Sequence, residues 1–181
     1  HIILPNGTKF ASQMEVAATG ETKMAEKLAE VCGTEGKAVG INWAFAPDID
    51  IDFNYRNPIT NVRTYGSDPD VVAKMGKAYV RRIQEIGLAA SIKHYPGDGV
   101  DERDHHLVTN VNTLSKEEWD ASYGKVYKEC IEAGAMTVMV GHIMLPAYTR
   151  YFHPECRDED IMPASLSYDL MHTLLREQLG F

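Results

Sequence analysis

The densest run of reactive side chains is Lys93-His94-Tyr95-Pro96-Gly97-Asp98-Gly99, continued by Asp101, Glu102, Arg103, Asp104, His105 and His106. Histidine alone among the side chains titrates near neutral pH unaided. A carboxylate beside it fixes its tautomer and raises its basicity. Asp104 stands two residues before His106, so the Asp-x-His pair has the composition of a proton shuttle. The same loop crowds together metal-ligand types: Asp98, Asp101, Asp104, His105 and His106. They follow no fixed ligand template, and such clusters are often solvated loops. Proton transfer is therefore the stronger reading, with a metal-dependent hydrolase of barrel fold as the enzymatic alternative.

These groups need a frame to hold them. The reactive run follows the apolar stretch Leu88 to Ile92 and precedes the capping box Ser115-Lys116-Glu117-Glu118, which opens a helix. Strand, polar loop and helix in that order is where a (β/α) barrel keeps its chemistry. The pattern recurs along the chain. Ile41 to Ala46 reads as a buried strand, followed by a long loop from Asp48 to Arg63. Asp68-Pro69 then opens a helix whose Val72, Met75, Tyr79, Ile83 and Ile86 share one face, and Gly87 stops it. Trp119, Tyr123, Val126, Tyr127 and Cys130 mark the next buried face. Ala135 to Val140 reads as a third strand, with His142 just beyond its end.

Near the N-terminus, Ile2-Ile3-Leu4 is an apolar run before a Pro5-Asn6-Gly7 turn. Gln13 to Gly20 reads as a loop, and Glu21 to Val31 as a helix. A loop carrying Tyr148, Tyr151 and His153 leads to a final helix through Leu170, Leu174 and Leu175. The expected fold is α/β with parallel strands, each apolar throughout because both its faces are covered.

The chain has 181 residues, where a whole (β/α)8 barrel takes about 250. A net charge of −8 disfavours nucleic acid and anionic membranes as partners. No apolar run approaches the ~20 residues of a membrane span. Cys32, Cys130 and Cys156 are odd in number and lack metal-ligand spacing; Cys32 and Cys130 fall in helical patterns as small apolar fillers. A reducing compartment fits, so a cytoplasmic location is the expectation.

The run from Lys93 to His106 resembles the Lys-His-(Phe/Tyr)-Pro-Gly-x-Gly…Asp-x-His loop of glycoside hydrolase family 3, in its β-N-acetylglucosaminidase branch. Four further stretches resemble that family in the same order. Ala46-Pro47-Asp48-Ile49-Asp50 is similar to its Ala-Pro-x-x-Asp strand end, and Arg63-Thr64-Tyr65-Gly66-Ser67-Asp68-Pro69 to its Arg-Ser-(Phe/Tyr)-x-x-Asp-Pro turn. Gly141-His142-Ile143 and Pro163-Ala164-Ser165-Leu166-Ser167 follow.

The resemblance implies that residues 1–181 are the central part of a family 3 barrel domain. It implies a retaining glycosidase that removes β-linked N-acetylglucosamine from non-reducing ends and needs no cofactor or metal. His106 would be the general acid/base, oriented by Asp104. Arg63, Lys93 and His94 would hold sugar hydroxyls, with His142 as a further substrate-binding candidate. Asp48 and Asp50 either shape the pocket or cap loop amides. The attacking carboxylate of the family lies past Phe181, so the expected partners are the carbohydrate and the rest of the barrel. His105 departs from the pattern, which places a small residue between the Asp and the His. Two alternatives stay open beside the metal hydrolase: a phosphorylase, because a His that has donated its proton is neutral and does not repel phosphate, and a non-catalytic carbohydrate-binding fragment.

Overall fold

A computed structural model describes residues 6–181; the Ile2 to Leu4 run lies outside the described residues. The three expected strands are present and parallel. β1 (Trp43–Ala44), β2 (Ala89–Tyr95) and β4 (Thr137–Val140) form one sheet in the order β1-β2-β4. Trp43 pairs with Ala89, and Ser91 with Thr137. A register shift between Ile92 and Tyr95 marks the end where the polar side chains gather. A second parallel pair, β3 (Asn110–Val111) with β5 (Ile143–Met144), ties the reactive loop to the loop after β4. Each crossover carries helices, as parallel neighbours require.

The helices start where their caps predict. α3 (Pro69–Ile86) has Asp68 as N-cap, its carboxylate accepting from Asp70 N and Val71 N, and Gly87 ends it in the left-handed region. Its Val72, Met75, Tyr79 and Ile83 are buried against the sheet and against α2 (Thr22–Ala38) and α5 (Lys125–Glu132). Ser115 and Glu118 form the expected reciprocal cap on α4 (Lys116–Trp119). Between α4 and α5 the backbone widens into a π-helical turn over Asp120–Gly124. Trp119, Tyr123, Val126, Tyr127 and Cys130 are all at 0% exposure.

Two expected loops are corrected. Gln13 to Gly20 is not a loop: it holds α1 (Gln13–Ala18), capped by a Ser12–Glu15 box. The Tyr148 and Tyr151 stretch is α6 (Pro146–Phe152), started by proline at its first position and packed through the buried Tyr148; His153 follows as its C-cap. The last helix, Asp169–Gln178, is π-helical, yet Leu170, Leu174 and Leu175 are its buried residues as expected. β2 is covered on both faces as expected, with Ala90 to Tyr95 all buried, whereas β1 and β4 are not among the described residues. Trp43 and Phe45 are each 50% exposed and β4 is half-buried throughout.

Candidate active site

The site is built at the C-terminal end of β2. The strand runs to Tyr95, beyond the expected end at Ile92, so Lys93 and His94 are strand residues rather than loop residues. Both are buried, with His94 2% and Lys93 7% exposed. Neighbouring backbone pins their position: Asp48 bridges Lys93 in parallel, and Ile49 N donates to Lys93 O at 3.0 Å.

Asp50 organises the turn that follows. Its Oδ1 accepts from His94 N at 3.0 Å and Asp98 N at 2.7 Å, and its Oδ2 lies 2.6 Å from His94 Nδ1. Three N–H groups therefore converge on one fully buried carboxylate. Burial, with the charge of Asp98, still pushes Asp50 up to about 6. Burial drives His94 down to about 3, so its ring is neutral and donates Nδ1–H to Asp50. Burial, with the charge of Asp50, raises Asp48 to about 7; its Oδ2 has no hydrogen-bond partner but lies 3.6 Å from Arg63. Burial also lowers Lys93, opposed by the charge of Asp48. Asp48, Arg63 and Lys93 border a cavity of about 550 Å³ that Phe10 and Phe45 also line.

Beyond Pro96 the chain needs its glycines. Gly97 and Gly99 have φ of 122° and 107°. A methyl group at Gly99 would overlap the carbonyl of Ile51, and one at Gly97 the ring of Tyr123. Asp98 between them accepts from Gly99 N at 2.7 Å and Asn57 Nδ2 at 2.8 Å, and its Oδ2 lies 2.6 Å from His105 Nδ1. Those bonds hold Asp98 below the usual carboxylate range although burial opposes them. His105 is raised in turn: burial would lower it, but its bond to Asp98 and the charges of Asp98, Asp50 and Asp104 together prevail.

His106 is different. Its Nδ1 lies 2.7 Å from Asp104 Oδ1, the same oxygen accepts its backbone N–H at 2.8 Å, and the ring is 56% exposed. Those bonds, the backbone one first, lower Asp104. The Asp-x-His pair thus exists as a short, solvent-facing hydrogen-bonded unit with Nε2 directed away from its carboxylate. The ring stacks on His105, centroids 4.2 Å apart, and His94 lies 4.7 Å from His105.

The structure brings Arg63, Lys93, His94, Asp104 and His106 to one end of the sheet. His142, two residues past β4, lies at the same end of the sheet but is exposed, with Nδ1 2.9 Å from Ser165 Oγ. No hydrogen bond or ion pair joins its side chain to the others among the described residues. The five-member metal cluster is not assembled either. Asp101 is gripped by Arg103 and Val111 N, which lower it to about 2, and Asp98 is committed to amides and His105. Sequence reasoning did not anticipate Asn57. Its Oδ1 accepts from Ile59 N and Thr60 N, and its Nδ2 donates to Asp98 and to Asp101 O. Asn57-Pro58, a turn-forming dipeptide inside the long loop, was the available signal.

Parallel strands, helical crossovers and polar side chains gathered at the strand ends are the features of a barrel enzyme's catalytic face. The chain belongs to glycosyl hydrolase family 3: the Glycosyl hydrolase family 3 N terminal domain model matches residues 2–181. It is 58% identical over 174 residues to a beta-N-acetylglucosaminidase/beta-glucosidase of Cellulomonas fimi, covering 96% of this chain and 31% of that protein. Among solved structures it is similar to a beta-glucoside phosphorylase bound to 2FGlc, with a TM-score of 0.95 and 53% identity, covering 98% of this chain and 32% of that one. It also resembles a family 3 beta-N-acetylglucosaminidase from Paenibacillus, with a TM-score of 0.87 and 35% identity, again over 98% and 32%. The chain therefore spans about a third of the length of these relatives. No described helix is long and apolar enough to cross a membrane.

Proposed function

We propose that residues 1–181 are the central part of a family 3 barrel domain and supply the acid/base half of a retaining exo-glycosidase acting on β-linked N-acetylglucosamine. The observation that carries this is the 2.7 Å contact between Asp104 and an exposed His106, set beside buried Lys93 and His94. His106 protonates the leaving oxygen from Nε2 while Asp104 fixes Nδ1–H, then takes a proton from the acceptor in the second step. Arg63 and Lys93 donate to sugar hydroxyls, and neutral His94 offers Nε2 to another; His142 is a further substrate contact. The nucleophile is assigned to a carboxylate beyond these residues, as the family resemblance implies. In support, Asp50 and Asp98 are saturated by amides and imidazoles, and Asp48 is paired with Arg63. The chemistry needs no cofactor. Three free cysteines support a reducing, cytoplasmic setting.

A second reading has its own support. An imidazole acid/base is neutral after donating its proton and admits an anionic acceptor, and one similar structure is a beta-glucoside phosphorylase. The test is to incubate the full-length protein with an aryl β-N-acetylglucosaminide at rising phosphate and to identify the products. Free N-acetylglucosamine at a phosphate-independent rate supports the hydrolase. Sugar 1-phosphate as the dominant product replaces it with the phosphorylase, and no turnover of either kind refutes both.

A further inference from the structure

We propose that Asp48 is a positioning residue of the sugar subsite: its carboxylate aims the Arg63 guanidinium into the cavity that both residues line, and sugar affinity depends on its charge. The inference rests on the reading that Arg63 holds a sugar hydroxyl. In Ala46-Pro47-Asp48-Ile49-Asp50 the family pattern leaves position 48 open, so the pattern itself asks for no carboxylate there. The backbone of Asp48 is clamped. Gln13 Nε2 donates to its carbonyl at 2.7 Å, its N–H donates to Gln13 Oε1 at 3.2 Å, and it bridges Lys93 on β2. Its Oδ1 accepts from Asp50 N at 3.2 Å. Its Oδ2 has no hydrogen-bond partner among the described residues, and faces Arg63 Nη2 at 3.6 Å.

A buried carboxylate oxygen in that state is costly. Burial, with the charge of Asp50, pushes the acid up to about 7, so its ionised form works against the fold at neutral pH. Groups of this kind collect where a site uses them. An acid that only capped loop amides would meet N–H groups with both oxygens, and Oδ2 meets none. The geometry around Arg63 shows the use. Its Nη1 donates to Ile59 O at 3.2 Å while Nη2 faces Asp48. A guanidinium carries more donors than these contacts use, and the rest are free for a ligand. At 3.6 Å the Asp48 contact is an ion pair rather than a hydrogen bond, so the guanidinium can still turn to meet a hydroxyl.

The charged and titratable groups around Asp48 come from every neighbouring segment. Asp50 shares its own, Lys93 and His94 come from β2, and Arg63 ends the 3-10 turn Asn61–Arg63. Tyr65, Tyr79 of α3, Tyr123 and Tyr127 are held protonated by burial, as is Cys32 of α2. Lys9 and Glu35 also line the cavity. An ionised Asp48 attracts Arg63 and opposes the burial that lowers Lys93. A protonated Asp48 does neither, so sugar affinity falls as pH falls through about 7.

The experiment measures N-acetylglucosamine binding to the full-length protein by calorimetry, near pH 5 and at pH 8, for wild type, Asp48→Asn and Arg63→Gln. Asp48→Asn should bind roughly 10–100-fold more weakly than wild type at pH 8, the worth of a charged contact, and within about twofold of it near pH 5. The other titrating groups are common to both proteins and cancel in that ratio. With an aryl substrate the loss should appear in KM more than in kcat. The variant's thermal stability at pH 8 should not fall, whereas removal of a merely structural acid would lower stability and affinity together. Wild-type affinity should drop from pH 8 to pH 5, and Arg63→Gln should flatten that drop; this arm decides if Asp48→Asn misfolds. Asp48→Asn binding as tightly as wild type at pH 8, or an equal drop in Arg63→Gln and wild type, overturns the inference while Arg63 keeps its role. If the sugar does not bind wild type, or binds Arg63→Gln equally well, the sugar-binding reading fails and this inference with it.

Discussion

The Nδ1 of His105 lies 2.6 Å from the Oδ2 of Asp98, and both side chains are almost wholly enclosed, at 4% and 1% exposure. That pairing consumes the imidazole that interrupts the family pattern and leaves His106 as the one at the surface. His106→Ala should lower kcat/KM for substrates with poor leaving groups by roughly 10²–10⁴-fold. Activated aryl glycosides need less proton donation and should suffer less. A plot of log kcat/KM against leaving-group pKa for the full-length protein checks this; a slope unchanged by His106→Ala would remove His106 from the acid/base role.

Asp48 offers a test by pH. Its folded-state value of about 7 lies above the ordinary 3.8, so its stability contribution is full at low pH and is lost as pH rises through 7. Asp48→Asn removes the charge and keeps the shape. It should be more stable than wild type at pH 8 by about 2–4 kcal/mol, with the difference vanishing near pH 4. Thermal unfolding of both proteins at the two pH values measures it. An advantage that grows on acidification contradicts the argument.

His94 has the opposite sign. Burial lowers it from 6.5 to about 3, so it contributes stability above pH 6.5 that is lost as pH falls toward 3. Its ring should stay neutral, with the proton on Nδ1, throughout the range from pH 5 to pH 8. NMR of ¹⁵N-labelled histidines should show one imidazole that does not titrate there, and His94→Gln should remove that signal. A titrating His94 signal within this range would mean that solvent reaches the ring.

Gly99→Ala should be among the most damaging single-methyl changes in the loop. The φ of 107° disfavours any side chain, and the added carbon meets backbone rather than a movable side chain. A cost on the order of 3 kcal/mol is expected, with loss of turnover because Asp98 and the two histidines after it lose their register. Ser115→Ala is the comparison: it removes only a helix cap on the surface and should cost about 1 kcal/mol with turnover retained. Chemical denaturation and kcat of the two variants, measured in parallel, separate the effects.

Much of this frame was legible because its signals are local. Asp68-Pro69 before a helix, the Ser115–Glu118 box and the apolar runs at Leu88 and Ala135 each act over a few residues. The Asp104–His106 pair was visible for the same reason. The bonds that shape the site were not, since Asp50 and His94 are 44 residues apart and Asn57 and Asp98 are 41. Nothing in either neighbourhood records the partner. α6 was missed because aromatic residues in a Pro-initiated stretch suit a loop equally well until Tyr148 is seen packed on Trp119, ring centroids 5.1 Å apart. Trp43 and Phe45 read as buried because apolarity does not say which face of a strand is covered.

That last point gives the molecule a built-in optical gauge. It has two tryptophans, and they differ sharply in surroundings. Trp119 is sealed at 0% exposure with its indole N–H on Pro96 O, while Trp43 is 50% exposed beside Phe45, bonded only to Thr137 at its rim. Acrylamide should therefore quench one emission component and spare the other. Anything that settles on the open face of β1 turns the quenchable component blue and protects it, while the Trp119 component stays as it was. Replacing Trp43 with Phe would leave a single-wavelength emitter that reports only on the packing around Pro96.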